Sequence, residues 1–230
     1  MNDRETALEY LNRDPLLNVD MTQCIERQIC DIDYADSDGV MLTCGRTIMA
    51  HFQDADKLID LLQGREFVFL VLRQEQIKDT VCAALGLEVE NECWQGAYMK
   101  KESIPLPDVD IRVLTENYVD QCAAHYYDHR DYIRELIGKK VLLGLFEDGE
   151  LAGFVGQHSE GAIGLLEVLP EYRRKGYGET LECCYVNHEL QKGHIPYGHV
   201  VVGNEASMAL QQKLGIQFAE KTVYWIKRTV

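Results

Sequence analysis

Residues 170–178 read Pro-Glu-Tyr-Arg-Arg-Lys-Gly-Tyr-Gly, three consecutive cations set before two glycines spaced one residue apart. They do so in a chain of 230 residues with 38 acidic against 23 basic side chains and a formal net charge of −15. An apolar run, AIGLLEVLP at 162–170, leads into the segment, and a helical pattern from about 178 to 192 leads out of it. Between a strand and a helix, backbone N–H groups and the helix dipole converge on an anion, and glycine lets the main chain approach closely. Cations at a helix N-terminus oppose the dipole by roughly 0.3–1 kcal/mol each. Three together therefore call for a compensating anion, and the loop reads as an anion site.

Working outward, residues 111–114 (IRVL) read as a strand, followed by helices at about 115–127 and 129–138. Next, VLLGLFEDGELAGFVGQ holds two apolar runs joined by Asp148-Gly149, a strong hairpin signal. After the loop and its helix come a strand at YGHVVV, a helix at 204–214 and a last strand near TVYWIKR. The order strand, two helices, three antiparallel strands, helix, strand, helix, strand predicts a mixed α/β (α+β) domain.

Upstream, residues 100–110 (KKESIPLPDVD) carry two prolines and no apolar periodicity, which marks a boundary. The predicted division is residues 1–105 and 108–230. Residues 1–105 hold 20 acidic and 10 basic side chains and the remainder 18 and 13, so the −15 splits into −10 and −5. Segment 84–100 (ALGLEVENECWQGAYMK) is similar to 213–228 (KLGIQFAEKTVYWIKR): helix end, Leu-Gly, acidic stretch, aromatic strand. Gly86 and Gly215 each sit where a helix C-cap calls for positive φ. The match suggests a tandem repeat whose first copy lacks the cationic loop.

The 46% hydrophobic fraction supports a folded core despite the charge. Acidity on this scale disfavours nucleic-acid and membrane partners. No apolar run approaches the roughly 18 residues of a membrane span, and the first ten residues lack a signal-peptide core, so the expected location is cytoplasmic. The eight cysteines show no C-x-x-C pair and read as reduced, packed thiols. His125 and His129 stand at metal-ligand spacing, but with a helix break expected near Asp128 and no third ligand, no metal site is predicted.

Leu181 stands where a dinucleotide fingerprint needs glycine, and no Gly-Lys-Ser/Thr follows, which excludes a Rossmann motif and a P-loop. What remains, V-x-P-E-Y-R-R-K-G-Y-G, resembles the acyl-CoA pyrophosphate loop of the GNAT superfamily of N-acetyltransferases. NEASMALQQKLGI at 204–216 resembles the helix motif of the same superfamily, and YGHVVVGNEAS looks most like its glycine N-acyltransferase-like branch. The resemblance implies a GNAT fold: a central mixed, mostly antiparallel sheet flanked by helices, here preceded by a degenerate GNAT-like half.

It also implies a ligand and its contacts. Acetyl-CoA, or another short acyl-CoA, would be the co-substrate and a small primary amine or amino acid the acceptor, with a homodimer possible. Backbone N–H groups of Arg174, Lys175, Gly176, Tyr177, Gly178 and Glu179 would cradle the pyrophosphate, and the main chain of Leu166, Glu167 and Val168 would pair with the pantetheine amides. Side chains of Arg173, Arg174 and Lys175 would supply charge, and Asn204 would contact the cofactor or serve as a helix N-cap.

Acyl transfer to an amine needs a general base. Two candidates are Glu167, an isolated carboxylate in an apolar run where burial would raise its pKa, and His199, whose unperturbed pKa is near neutrality. Each has a structural alternative: Glu167 outward or paired with a cation, His199 in the core and bonded to a backbone carbonyl. The family's usual base position falls near Ala162, with Glu160 the nearest carboxylate. Gln211 stands where many relatives carry an acidic tyrosine, which leaves the protonation of the departing thiolate to another group.

Overall fold

A computed structural model describes residues 3–126 and 129–228, and the expected helix break near Asp128 lies outside them. In chain order the first elements are α1 (Asp3–Leu11), α2 (Val19–Glu26), β1 (Asp31–Ala35), β2 (Gly39–Cys44), β3 (Thr47–Phe52), α3 (Ala55–Leu62), β4 (Phe69–Leu72), α4 (Glu75–Leu85) and β5 (Leu87–Ala97). Then follow β6 (Asp110–Val113), a 3₁₀ turn (Glu116–Tyr118), α5 (Val119–Ala124), α6 (Arg130–Gly138), β7 (Leu142–Glu147), β8 (Glu150–Gln157), β9 (Ile163–Val168), a second 3₁₀ turn (Pro170–Tyr172) and α7 (Tyr177–Gln191). The chain ends with β10 (Tyr197–Val201), α8 (Glu205–Lys213) and β11 (Gln217–Arg228).

Two compact units result, one of Met1–Ala97 with Tyr197–Val230, the other of Tyr98–Pro196. This differs from the division at 1–105 and 108–230, because the last strands pair with the first ones. In the first unit the strand order is β1-β2-β3-β4-β11-β5-β10. The terminal strand β11 lies between β4 and β5, antiparallel to both, and β5 in turn pairs with β10. The two segments that resemble each other are thus direct ladder partners, from Gln217 opposite Ala97 to Arg228 opposite Leu87. Each begins after a Leu-Gly turn in which the glycine, Gly86 or Gly215, has positive φ (62° and 83°), a conformation glycine adopts without the Cβ penalty.

Strand periodicity explains the two cores of this unit. Along β2, Val40, Leu42 and Cys44 face a cluster with Leu11, Met21 and Ile25 of the first two helices, while Met41 faces Leu58, Leu62 and Val81 of α3 and α4. Helix α2 is buried from Val19 to Ile25, which carries Asp20 inside with it.

The second unit is an antiparallel meander, β6-β7-β8-β9. Its hairpin closes through Asp148 and Gly149 at φ 52° and 89°, the paired positive values of a type I′ turn. Leu114, Val119, Ile133, Leu136, Phe146 and Phe154 make its core with α5 and α6, and α7 packs on β8 and β9. No helix among the described residues is long and apolar enough to cross a membrane.

Candidate anion-binding site

The second unit builds the predicted loop from two left-handed residues. Strand β9 ends at Val168, the 3₁₀ turn over Pro170–Tyr172 redirects the chain, and Arg174 and Gly176 then adopt φ 64° and 81°. Gly176 is the N-cap of α7 and offers no side chain to cap it. The first backbone bond of the helix is from Thr180 N to Gly176 O at 3.1 Å, and no backbone carbonyl among the described residues takes the N–H groups of Arg174, Lys175, Gly176, Tyr177 or Gly178. Five donors of one turn are left to solvent or to a ligand, at the positive end of a 15-residue helix. Gly178 is open, its nearest atom to an added Cβ being Val168 Cγ2 at 3.8 Å.

Two of the three cations are held by carboxylates. Arg173 folds back on the strand: its Nε donates to Val168 O at 3.0 Å and its guanidinium pairs with Glu167 at 2.9 Å. Lys175 pairs with Glu147 at 2.6 Å and lies over the rings of Tyr172 and Tyr177. This contact holds Glu147 below the usual carboxylate range. Only Arg174 of the three has no ion pair among the described residues. Two cations brace the loop, and one faces outward.

Glu167 is therefore not the isolated carboxylate inferred from its apolar run, since the Arg173 guanidinium holds it and its side chain is 28% exposed. It stands opposite Phe154, with Val168 opposite Gly153. Between these pairs and Gly156–Gly164, β9 spends one more residue than β8. The extra residue is a bulge at Leu165, whose φ of 53° is a genuine outlier for a leucine. It turns Leu166, Glu167 and Val168 relative to the start of the strand, and sequence reasoning had no signal for it.

Sequence reading also missed an acid–base pair in this unit. Tyr132 Oη and His158 Nδ1 lie 2.8 Å apart with their rings stacked, and burial raises the phenol's pKa. The His158 ring occupies the space a side chain on Gly164 would need, which is why β9 carries glycine there. Tyr132 lies three residues beyond His129 in the sequence. Glu160 is buried, close to Ser159.

The remaining predicted residues belong to the first unit. Asn204 is the N-cap of α8, its Oδ1 accepting from Ser207 N at 3.1 Å. Gln211 lies on α8. His199, opposite Gln95 on the β10–β5 ladder, has its Nε2 2.8 Å from Gln95 Oε1 and 3.6 Å from Asp20 Oδ2. Its partners are these side chains rather than the backbone carbonyl expected. The cysteine thiols stay protonated where buried: burial pushes Cys93 and Cys122 up to about 12.

A meander, a bulged strand and an uncapped helix start after a glycine-bearing turn are parts of the GNAT fold, and comparison agrees. Residues 142–226 match the family model described as FR47-like protein. A solved Drosophila protein covers 100% of this chain and 97% of its own, with 18% identity and a TM-score of 0.64. A GNAT-family acetyltransferase from Colwellia psychrerythraea covers 85% and 84%, with 15% identity and a TM-score of 0.54. A tandem GNAT protein from the clavulanic acid biosynthesis pathway covers 98% and 95%, with 14% identity and a TM-score of 0.52. No curated protein matches the sequence. The structural likeness shows the fold, a mixed α/β GNAT fold, and with the family model it supports the GNAT superfamily.

Proposed function

We propose that this protein is an acyl-CoA-dependent N-acyltransferase, with acetyl-CoA as donor and the primary amine of a small molecule or amino acid as acceptor. The observation that carries the reading is the start of α7, where five adjacent backbone N–H groups have no backbone acceptor and stand beside an unpaired Arg174. A pyrophosphate fits such a cradle, because it spreads its charge over several oxygens that each take a donor. When bound, acetyl-CoA supplies an activated thioester. The chain's own part is to hold the anion with the N–H groups of residues 174–178, to keep Lys175 and Arg173 locked as braces, and to present the turned main chain of Leu166 and Glu167.

Glu167 and His199 remain the proposed bases, and Tyr132 with His158 is the further acid–base pair available in the second unit. The likeness to a tandem GNAT protein supports reading the first half as a degenerate copy. Equilibrium titration with acetyl-CoA tests the proposal, and absence of binding at millimolar cofactor overturns it. Gln211 favours a second reading, a fold that holds CoA without turnover. Thiol release from acetyl-CoA across a panel of small amines and basic peptides separates the two, since turnover with any acceptor excludes a purely binding role, and the preferred acceptor distinguishes small-molecule from peptide acetylation.

A further inference from the structure

The first unit contains a cavity of about 230 Å³ whose walls include Arg13, Asp14, His51, Arg73, Gln74 and Lys221. It lies where the parallel pair β3 and β4 comes apart. Their ladder joins Thr47, Ile48 and Met49 to Phe69, Leu70 and Val71 and goes no further. Beyond it, side chains take over the backbone's bonds: Arg73 Nη1 donates to Ala50 O at 3.4 Å, and Gln74 Nε2 donates to Phe52 O. Diverging carboxyl ends of parallel strands form the general ligand crevice of α/β sheets.

A polyphosphate does not suit this crevice. Helix α3, which follows β3, starts at a carboxylate that caps it: Asp54 Oδ1 accepts from Asp56 N at 2.9 Å. With Asp56 in its first turn, that helix start is closed to another anion. The cavity itself has the opposite charge. In a chain that carries −15, its walls bring Arg13, Arg73 and Lys221 against Asp14, with Asp20 behind Arg73. Neither Arg13 nor Lys221 has an ion pair among the described residues. Behind them, two lining residues each keep a buried polar atom with no partner among the described residues, the donor Arg73 Nε and the acceptor Gln74 Oε1. The field is felt by His51, whose pKa is lowered to about 4 by burial and then by Arg73 and Lys221.

We propose that this cavity is a second ligand site, for a small carboxylate of amino-acid size: Lys221 and Arg13 hold the carboxylate, with the buried charge of Arg73 behind them, and Asp14 takes an amino group beside it. Its volume is below the roughly 300–1,000 Å³ of pockets for drug-sized ligands, and it supplies donors and acceptors for both ends of a zwitterion. The inference does not depend on acyl transfer, which concerns the other unit.

Calorimetric titration of the full chain at low ionic strength tests it, with L-alanine, propionate, ethylamine and inorganic phosphate as probes. Alanine and propionate should bind, alanine more tightly, and ethylamine should not. Lys221→Gln and Arg13→Gln, both at exposed positions, should each weaken carboxylate binding by about tenfold while leaving the ligand-free melting temperature in place. Failure of both carboxylates to bind, preference for phosphate, or unchanged affinity in both variants overturns the proposal. Acetyl-CoA titration of the same samples reads the loop separately, so either reading can fall without the other.

Discussion

Arg73 Nη2 stands 2.6 Å from each carboxylate oxygen of Asp20, and neither side chain is exposed. A pair taken wholly out of water is costly to break from one side, because the survivor is left as a buried uncompensated charge. Asp20→Asn should destabilise the protein by about 3–5 kcal/mol, and Arg73→Met by a similar amount. The double variant should lose much less than the sum, which urea denaturation of all four proteins will read. Additive losses would show that the two side chains do not act as a pair.

Acid should weaken the first unit in two stages. His51, its Nδ1 2.8 Å from Asn18 Oδ1, has a folded pKa lowered from 6.5 to about 4. A depressed folded value means stability that is complete above pH 6.5 and lost as pH falls toward 4, by about 3 kcal/mol. Asp20, held at about 2 by Arg73 and His199 against the burial that would raise it, adds a second loss. It sets in below pH 3.8, runs down through 2, and is worth about 2 kcal/mol. Stability measured against pH in His51→Gln should lack the upper stage and keep the lower one.

The loop's cations should separate by function. Arg174→Ala should lower acetyl-CoA affinity and flatten its salt dependence, because this guanidinium has no ion pair among the described residues. Arg173→Ala removes the bonds to Val168 O and Glu167, so its effect should fall on the order of the loop, read as faster amide exchange at residues 168–173. Lys175→Ala breaks an exposed pair and should leave stability within about 1 kcal/mol. Equal effects of all three on affinity would mean that the cations act as one patch.

What the sequence disclosed and what it hid follow from the range of the interactions. Asp148-Gly149 signals its own turn, since two adjacent residues suffice for the positive φ values, and the hairpin forms where predicted. Gly176 likewise announces a left-handed N-cap. The bulge at Leu165 carries no such mark: leucine is the wrong residue for φ 53°, and its side chain packs into the core there. The Arg73–Asp20 pair spans 53 residues of sequence, and β11 finds β5 across more than a hundred. Pairings of that range leave no local pattern, so the 1–105 and 108–230 division followed composition, and the return of the terminal strands to the first unit did not show in the sequence. Glu167 looked isolated because its partner, Arg173, comes from beyond a turn that the run AIGLLEVLP does not contain.

The two glycines of the loop allow the cradle itself to be tested against mere turn geometry. Gly176 has φ 81°, so any L residue there is strained, and Gly176→Ala should cost about 1 kcal/mol of stability along with affinity. Gly178 is different: its φ is not left-handed, and an added methyl meets nothing closer than 3.8 Å. Within a helix, alanine is favoured over glycine by about 0.5–1 kcal/mol. Gly178→Ala should therefore match or exceed the parent in urea denaturation. If the N–H groups around it receive a pyrophosphate, the same methyl intrudes on the ligand, and acetyl-CoA affinity should fall by about tenfold or more, or about 1.4 kcal/mol. A variant more stable yet weaker in binding would place the close approach of a ligand at Gly178. Undiminished affinity in Gly178→Ala would leave the loop a turn and remove the cradle from the mechanism.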